Sequence, residues 1–251
     1  MKFSGMRVFV TGGATGIGRA TAEYLAGEGA RVFAVGLDGN EGRAAHVGNP
    51  AVTFRETDVT AEPDVRSAVA EAVAKLGGLD AVVNCAGIYP TGKRLEDVTD
   101  PEWEKTIAVN LTAIFRVCRA TLPHLRAAGG GSIVNIASVH ADATVPTVPA
   151  YAATKAAVVG LSKQMALDYA VDRIRINAVL VGSVATRMTL DGLEEAGGAE
   201  AIGLSFEPNR IARIADPREI ATAIGFLISD DASFVTGSAM QVDGGLLTRL
   251  L

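Results

Sequence analysis

Residues 6–30 read MRVFVTGGATGIGRATAEYLAGEGA. An apolar, β-branched run at 6–12 passes through Gly12, Gly16 and Gly18 into an alanine-rich run of helical character at 16–30. No other feature restricts the fold as much. A glycine-rich turn between a strand and a helix lets the backbone bend sharply and leaves amide N–H groups uncovered where the helix begins. A strand this apolar needs cover on both faces, which is the condition of a strand inside a parallel sheet.

The alternation continues along the chain. Runs at 31–36, 51–59, 79–87, 131–138, 174–182 and 238–245 read as further strands, and runs at 64–77, 102–127, 150–171 and 216–229 as helices. The last of these helices opens on Asp216 as N-cap with Pro217 in its first turn. Apolar strands alternating with helices predict an α/β fold, a doubly wound parallel sheet of about seven strands with helices on both faces. The chain has 251 residues, 49% of them hydrophobic and 20% charged, enough for one large core. No repeat, linker or low-complexity segment divides it, so residues 1–251 read as a single domain. The stretch 187–214 is long for a connection and weakly periodic, and is expected to be a mobile lid over a substrate site.

Several function classes drop out. Lysine and arginine total 23 against 28 acidic residues, a net charge of −5 with no basic block, which argues against nucleic acid as a partner. No apolar run approaches membrane length. The two cysteines, Cys85 and Cys118, form no CxxC pair and suit a reducing compartment, so a soluble cytoplasmic protein is expected. His46, His124 and His140 lack metal-ligand spacing, and no metal is expected.

The spacing Gly12-x-x-x-Gly16-x-Gly18 points to a pyrophosphate held at a helix N-terminus. No Gly-Lys-Ser/Thr follows, so this is not a nucleoside-triphosphate loop. An acidic residue near the end of the second strand would bind the ribose hydroxyls of a dinucleotide. The strand ends VGLDG, which offers Asp38, with Gly36 at the position where an aspartate would sit best. No Arg or Lys lies in 32–42 to hold a 2′-phosphate, although Arg19 and Arg43 lie close in sequence. NAD is therefore expected over NADP.

The run PAYAATKAAVVG at 149–160 places Tyr151 and Lys155 four residues apart, on one face of a helix. Alone, the pair is an aromatic residue beside a snorkelling lysine. In company with a dinucleotide loop it becomes a proton-transfer device. A free tyrosine titrates at about 10, and lowering that by ~2–3 units takes about 3–4 kcal/mol of phenolate stabilisation, which a nearby ammonium is expected to supply in large part. Ser138 ends the fifth strand, where its hydroxyl would meet a substrate oxygen. Asn110 lies inside the predicted long helix, where asparagine is a poor helix former.

Together TGGATGIG (11–18), DV (58–59), NCAG (84–87), VNL (109–111), IAS (136–138), YAATK (151–155) and VDGG (242–245) resemble the short-chain dehydrogenase/reductase family in its single-domain form of about 250 residues. The resemblance implies a Rossmann-type fold and an NAD(P)-dependent oxidoreductase that interconverts a secondary alcohol and a ketone. It implies Asn110, Ser138, Tyr151 and Lys155 as the catalytic set, with Asn110 relaying protons to Lys155. It implies Gly12, Thr15, Gly16, Ile17 and Gly18 at the phosphates, Asp58 and Val59 at the adenine, and Asn84, Ala86 and Gly87 beside the adenosine ribose. Tyr151, Lys155, Val184 and Thr186 would contact the nicotinamide half. It also implies a homotetramer or homodimer packed through the long helices. Two positions depart from the pattern: Cys85 replaces an asparagine, and Val181-Gly182 replaces Pro-Gly, which is expected to free the backbone beside the nicotinamide. Substrate identity lies in 88–97, 139–149 and 187–214, with His140 and Met188 as pocket residues. The polar run around His140, Asp142 and Thr144 favours a sugar, a polyol or another polar substrate, and a 3-oxoacyl thioester reduced with NADPH is the main alternative. A non-catalytic dinucleotide sensor is the alternative of another class.

Overall fold

The structure, a computed structural model, describes residues 1–195 and 197–248. Seven strands form one sheet: β1 (Arg7–Thr11), β2 (Arg31–Gly36), β3 (Val52–Glu56), β4 (Ala81–Asn84), β5 (Gly131–Ile136), β6 (Ile174–Val181) and β7 (Ala239–Val242). Their order is β3-β2-β1-β4-β5-β6-β7, and every pair is parallel. The chain winds outward one way from β1 through β2 and β3, then the other way from β4. The crevice at the carboxyl ends of β1 and β4 is thus the point at which a doubly wound sheet receives a ligand.

Side chains alternate across the sheet as the pleat requires. On one face Phe9, Phe33 and Val82 meet α3 (Glu62–Leu76), α5 (Ala113–Ala127) and α6 (Pro149–Asp168). On the other, Val8, Val10, Val32 and Val83 meet α1 (Gly16–Gly27) and α8 (Pro217–Ile228). The Phe9 and Phe33 rings stack at 6.0 Å between neighbouring strands. Arg7 and Asp80 staple the amino end of the sheet, with Arg7 Nη2 2.6 Å and Nε 2.9 Å from the two carboxylate oxygens. At the opposite end Thr11 Oγ1 accepts the backbone N–H of both Cys85 and Ala86 at 3.1 Å, which holds β1 and the β4 loop together beneath the crevice.

Three elements differ from the sequence expectation. A short helix α2 (Gly39–Ala45) fills the stretch after β2; Asp38 caps it, and it packs so closely that a Cβ on Gly42 would lie 2.1 Å from the Phe54 ring. The long helix expected at 102–127 is α4 (Asp100–Ile107) and α5 joined by a π-helical turn, Ala108–Thr112. The stretch 187–214 opens with a helix, α7 (Arg187–Glu195), whose Leu193 is buried; residue 196 within that stretch lies outside the described residues. Among the described residues no helix is long and apolar enough to cross a membrane.

Candidate active site

A cleft of about 400 Å³ opens over the carboxyl ends of the strands, lined at one end by Gly12, Thr15, Gly16, Ile17 and Gly18 and at the other by Ser138, Tyr151 and Lys155. Gly12 and Gly16 have φ of +67° and +53°, in the region that favours glycine. A Cβ on Gly12 would stand 2.9 Å from the Ala86 nitrogen, and one on Gly18 would stand 2.3 Å from the Gly12 carbonyl oxygen. The first turn of α1 carries no acidic residue, and Thr15 makes no side-chain cap. Its N–H groups therefore face the cleft without a protein acceptor, which suits a bound phosphate. These residues fit a dinucleotide pyrophosphate.

The adenosine end is less uniform. Asp38 is exposed at the end of β2, and its Oδ1 accepts the Glu41 N–H at 2.9 Å, leaving Oδ2 free. Asp58 Oδ1 is occupied by the Thr60 amide and hydroxyl at 2.8 and 2.6 Å, and Val59 is buried. Ala86 and Gly87 line the cleft, as does Cys85. Asn84 does not line it: its side chain turns into the core, where Nδ2 donates to Asn135 Oδ1 at 2.8 Å and Asn135 donates on to Ser162 at 2.9 Å. The ribose-wall expectation for the Asn84 side chain is corrected by strand alternation, since Asn84 shares a face with Val82.

Four side chains close the other end. Ser138 is buried after β5; its hydroxyl donates to the Val181 carbonyl at 3.5 Å and accepts the His140 N–H at 3.3 Å. Lys155 is buried, and its Nζ donates to the Ile136 carbonyl at 2.8 Å, with Nζ 5.5 Å from the Tyr151 ring centroid. Asn110 sits fully buried in the π turn. Its Oδ1 accepts the Ile88 N–H at 2.8 Å and its Nδ2 donates to the Ile88 carbonyl at 2.9 Å, so it clamps the loop above the cleft. The poor helix former thus marks the one turn of that helix that is not α-helical.

Burial dominates the titration of both the phenol and the ammonium. Burial pushes the Tyr151 phenol up to about 12, with the Ser138 hydroxyl pulling the other way. Burial pulls Lys155 down to about 8, with Cys85 opposing. Desolvation is thus the largest influence on both groups. Burial also pushes Cys85 up to about 12, so it presents a thiol and no thiolate to the cleft.

Tyr89 belongs to this cluster and was not anticipated. Its ring meets Tyr151 edge-on at 4.6 Å and His140 at 5.7 Å, and His140 meets Tyr151 at 5.4 Å, so two aromatic rings buttress the phenol. His140 Nδ1 lies 2.9 Å from the Thr144 hydroxyl, and burial lowers its pKa. The only sequence signal for Tyr89 was its place two residues past NCAG, in a segment expected to set specificity. Val184, Thr186 and Met188 line the cleft, and Thr186 abuts the phosphate loop, where a Cβ on Gly16 would stand 3.0 Å from its methyl group. The backbone expected to be free at Val181-Gly182 is held: Val181 completes β6 against Val242, and the Gly182 N–H donates to the Val242 carbonyl at 3.1 Å.

Comparison with known proteins agrees with this geometry. A family model described as enoyl-(acyl carrier protein) reductase matches residues 12–247. Over 247 residues the chain is 36% identical to 2-keto-3-deoxy-L-fuconate dehydrogenase of Xanthomonas campestris, covering 97% of this chain and 81% of that protein. It is 39% identical over 245 residues to 2,5-dichloro-2,5-cyclohexadiene-1,4-diol dehydrogenase of Sphingobium indicum, covering 96% of this chain and 97% of that one. A solved structure of levodione reductase superposes with a TM-score of 0.91 at 32% identity, covering 99% of this chain and 100% of that chain.

Proposed function

The chain belongs to the short-chain dehydrogenase/reductase family and is an NAD(P)-dependent oxidoreductase of CH–OH groups, and within that class we propose that it oxidises a polar or cyclic secondary alcohol with NAD in the cytoplasm. The observation that carries this is the pair of hydroxyls, Ser138 and Tyr151, at the end of a cleft whose other end is a bare phosphate loop. Two hydroxyls at one end of the cleft suit a single substrate oxygen that is alcohol on one side of the reaction and carbonyl on the other. The bound nicotinamide supplies the hydride acceptor or donor.

The protein handles the proton. Tyr151, with its phenol near 12, holds the proton that a carbonyl oxygen needs in reduction; in oxidation it first gives that proton to solvent and then, as phenolate, takes the proton of the alcohol. Lys155, near 8, is the adjacent cation that stabilises the phenolate in either direction. Ser138 orients the substrate oxygen as charge develops. Asn110 holds the Ile88 loop and, through it, the roof of the site, while the Tyr89 and His140 rings keep the phenol from turning.

Asp38 and Glu56 border one shallow hollow beyond β2, so a 2′-phosphate would meet two carboxylates. Of the two arginines nearby, Arg19 pairs with Glu23 at 2.8 Å, while Arg43 donates to Asn40 at 3.0 Å and lies 3.9 Å from Glu56, which leaves Asp38 as the carboxylate without a cation among the described residues. That favours NAD. For the substrate, the aromatic Tyr89 and the polar His140 beside the phenol suit a ring bearing oxygens, in keeping with the diol and sugar-acid names of its relatives. A 3-oxoacyl thioester would have Arg210 to receive it, since of the arginines near the lid Arg187 pairs with Glu41 and Arg213 with Glu219 while Arg210 is exposed. The apolar faces of α5 and α6 fit a homotetramer or homodimer, with Phe115 and Leu167 both exposed. Residues 187–214 would act as the substrate lid.

The test measures reduced nicotinamide formed from NAD and NADP with cyclic secondary alcohols and sugars, and its consumption with 3-oxoacyl thioesters, beside Tyr151→Phe and Asp38→Ala. Turnover of a cyclic alcohol with NAD, lost in Tyr151→Phe, and a preference for NADH over NADPH weakened in Asp38→Ala, is the expected result. NADPH-linked reduction of the thioester without oxidation of any cyclic alcohol would replace this reading. Binding of either cofactor with no turnover at all would make the chain a sensor.

A further inference from the structure

His46 lies outside the cleft and has no part in the chemistry described above. It is the residue that closes α2, is only 6% exposed, and packs its ring against Phe54 at a centroid distance of 6.1 Å and an interplanar angle of 29°. Its Nε2 stands 2.8 Å from the carbonyl oxygen of Gly13, inside the phosphate loop. A carbonyl only accepts, so Nε2 carries a hydrogen. Nδ1 is buried and has no protein partner among the described residues. A buried unpaired ring nitrogen is unfavourable, and an apolar side chain of similar size would avoid it. What only the imidazole adds at this place is the donor to Gly13.

That contact completes a clamp. The Gly13 N–H donates to the Val35 carbonyl at 2.9 Å, and a Cβ on Gly13 would stand 2.7 Å from the Ala34 Cβ, so the loop is pressed against β2 with no slack. With the N–H held by β2 and the carbonyl by α2, both peptide planes flanking Gly13 are fixed, because each peptide is a rigid unit. We infer that His46 is a positioning residue for the dinucleotide: it sets the plane of the Gly13–Ala14 peptide and so orders the loop whose amides receive the phosphates. The element that carries Asp38 thereby also shapes the phosphate site. This rests on the reading of the cleft as a dinucleotide site.

The test compares wild type with His46→Leu, His46→Asn and His46→Gln. Glutamine carries an amide N–H about as far from its Cα as histidine Nε2, whereas asparagine falls short of Gly13. Binding of ADP is followed by calorimetry, binding of NADH by fluorescence, and kcat is measured at saturating cofactor. His46→Leu and His46→Asn should weaken ADP and NADH by about fivefold, with kcat within about twofold of wild type; His46→Gln should restore most of the affinity. Should His46→Leu fail to fold, the contrast between Asn and Gln carries the same information. Equal ADP and NADH affinity in all folded variants, with only the melting temperature lowered, would overturn the inference and leave His46 a packing residue. Wild type that binds neither ADP nor NADH would instead remove the dinucleotide reading beneath it, and this inference with it.

Discussion

Lys155→Met should make the free protein more stable at neutral pH while removing its activity. Lys155 is 5% exposed, and burial takes its ammonium from an ordinary 10.5 to about 8. In the unfolded chain the lysine keeps its proton up to about pH 10.5, and in the folded protein only up to about pH 8. Between those values the folded state binds fewer protons, so stability rises with pH; the penalty is complete below the folded value and gone above the unfolded one. At pH 7 it amounts to about 3 kcal/mol, and by about pH 9.5 it has fallen to about 1 kcal/mol. Methionine matches the lysine stem in length, but it forfeits the hydrogen bond to the Ile136 carbonyl, a loss of about 1 kcal/mol. The net expectation is a gain of about 2 kcal/mol at pH 7, or about 4–8 °C in melting temperature for a chain of this size, and almost none at about pH 9.5. The kcat/KM should fall by about 10²–10⁴. Thermal unfolding of both proteins without cofactor at the two pH values checks this. A mutant less stable at pH 7, or a difference that does not shrink on going alkaline, would refute the assignment of Lys155 as a charge held in the core against its own solvation.

Three further outcomes follow from the geometry. Gly18→Ala should abolish NADH binding by fluorescence titration, since its Cβ would stand 2.3 Å from the Gly12 carbonyl; retained affinity would mean that the loop is softer than drawn. Asp80→Asn should lower stability at pH 7 by about 1–2 kcal/mol, a figure discounted for partial exposure. Burial raises the Asp80 pKa and the bonds to Arg7 more than offset it, so the folded value is lowered; the contribution is present above the ordinary 3.8 and lost as pH falls through the folded value, so denaturant midpoints of mutant and wild type should converge in acid. Tyr89→Leu removes the edge-on contact with Tyr151 and should reduce kcat by about tenfold with NADH affinity unchanged; a pure KM effect would make Tyr89 a substrate contact only.

Much of this was legible because two periodicities and a few glycines carry it. The apolar strands and the turn at residues 12–18 leave one architecture, and the four-residue spacing of Tyr151 and Lys155 puts both on one side of α6. What was not legible depends on contacts made across the fold. Helix α2 has seven residues and two glycines, and it stands on Asp38 and Phe54 rather than on propensity. Tyr89 and His46 acquire their places only when the loop after β4 and the end of α2 close on other elements. The inward turn of the Asn84 side chain follows from the two-residue alternation of β4. The charge balance between Tyr151 and Lys155 depends on how deeply each is buried, which spacing alone does not reveal.

The π turn at Ala108–Thr112 acts as an insertion of one residue that the helix has never healed. Shortening that turn by a single residue would let α4 and α5 run on as one continuous spiral, with better bonding along its axis. It would also rotate everything before the cut by about 100° about that axis, carrying Asn110 away from both polar groups of Ile88. The most regular version of this helix is thus a version without the Asn110 clamp.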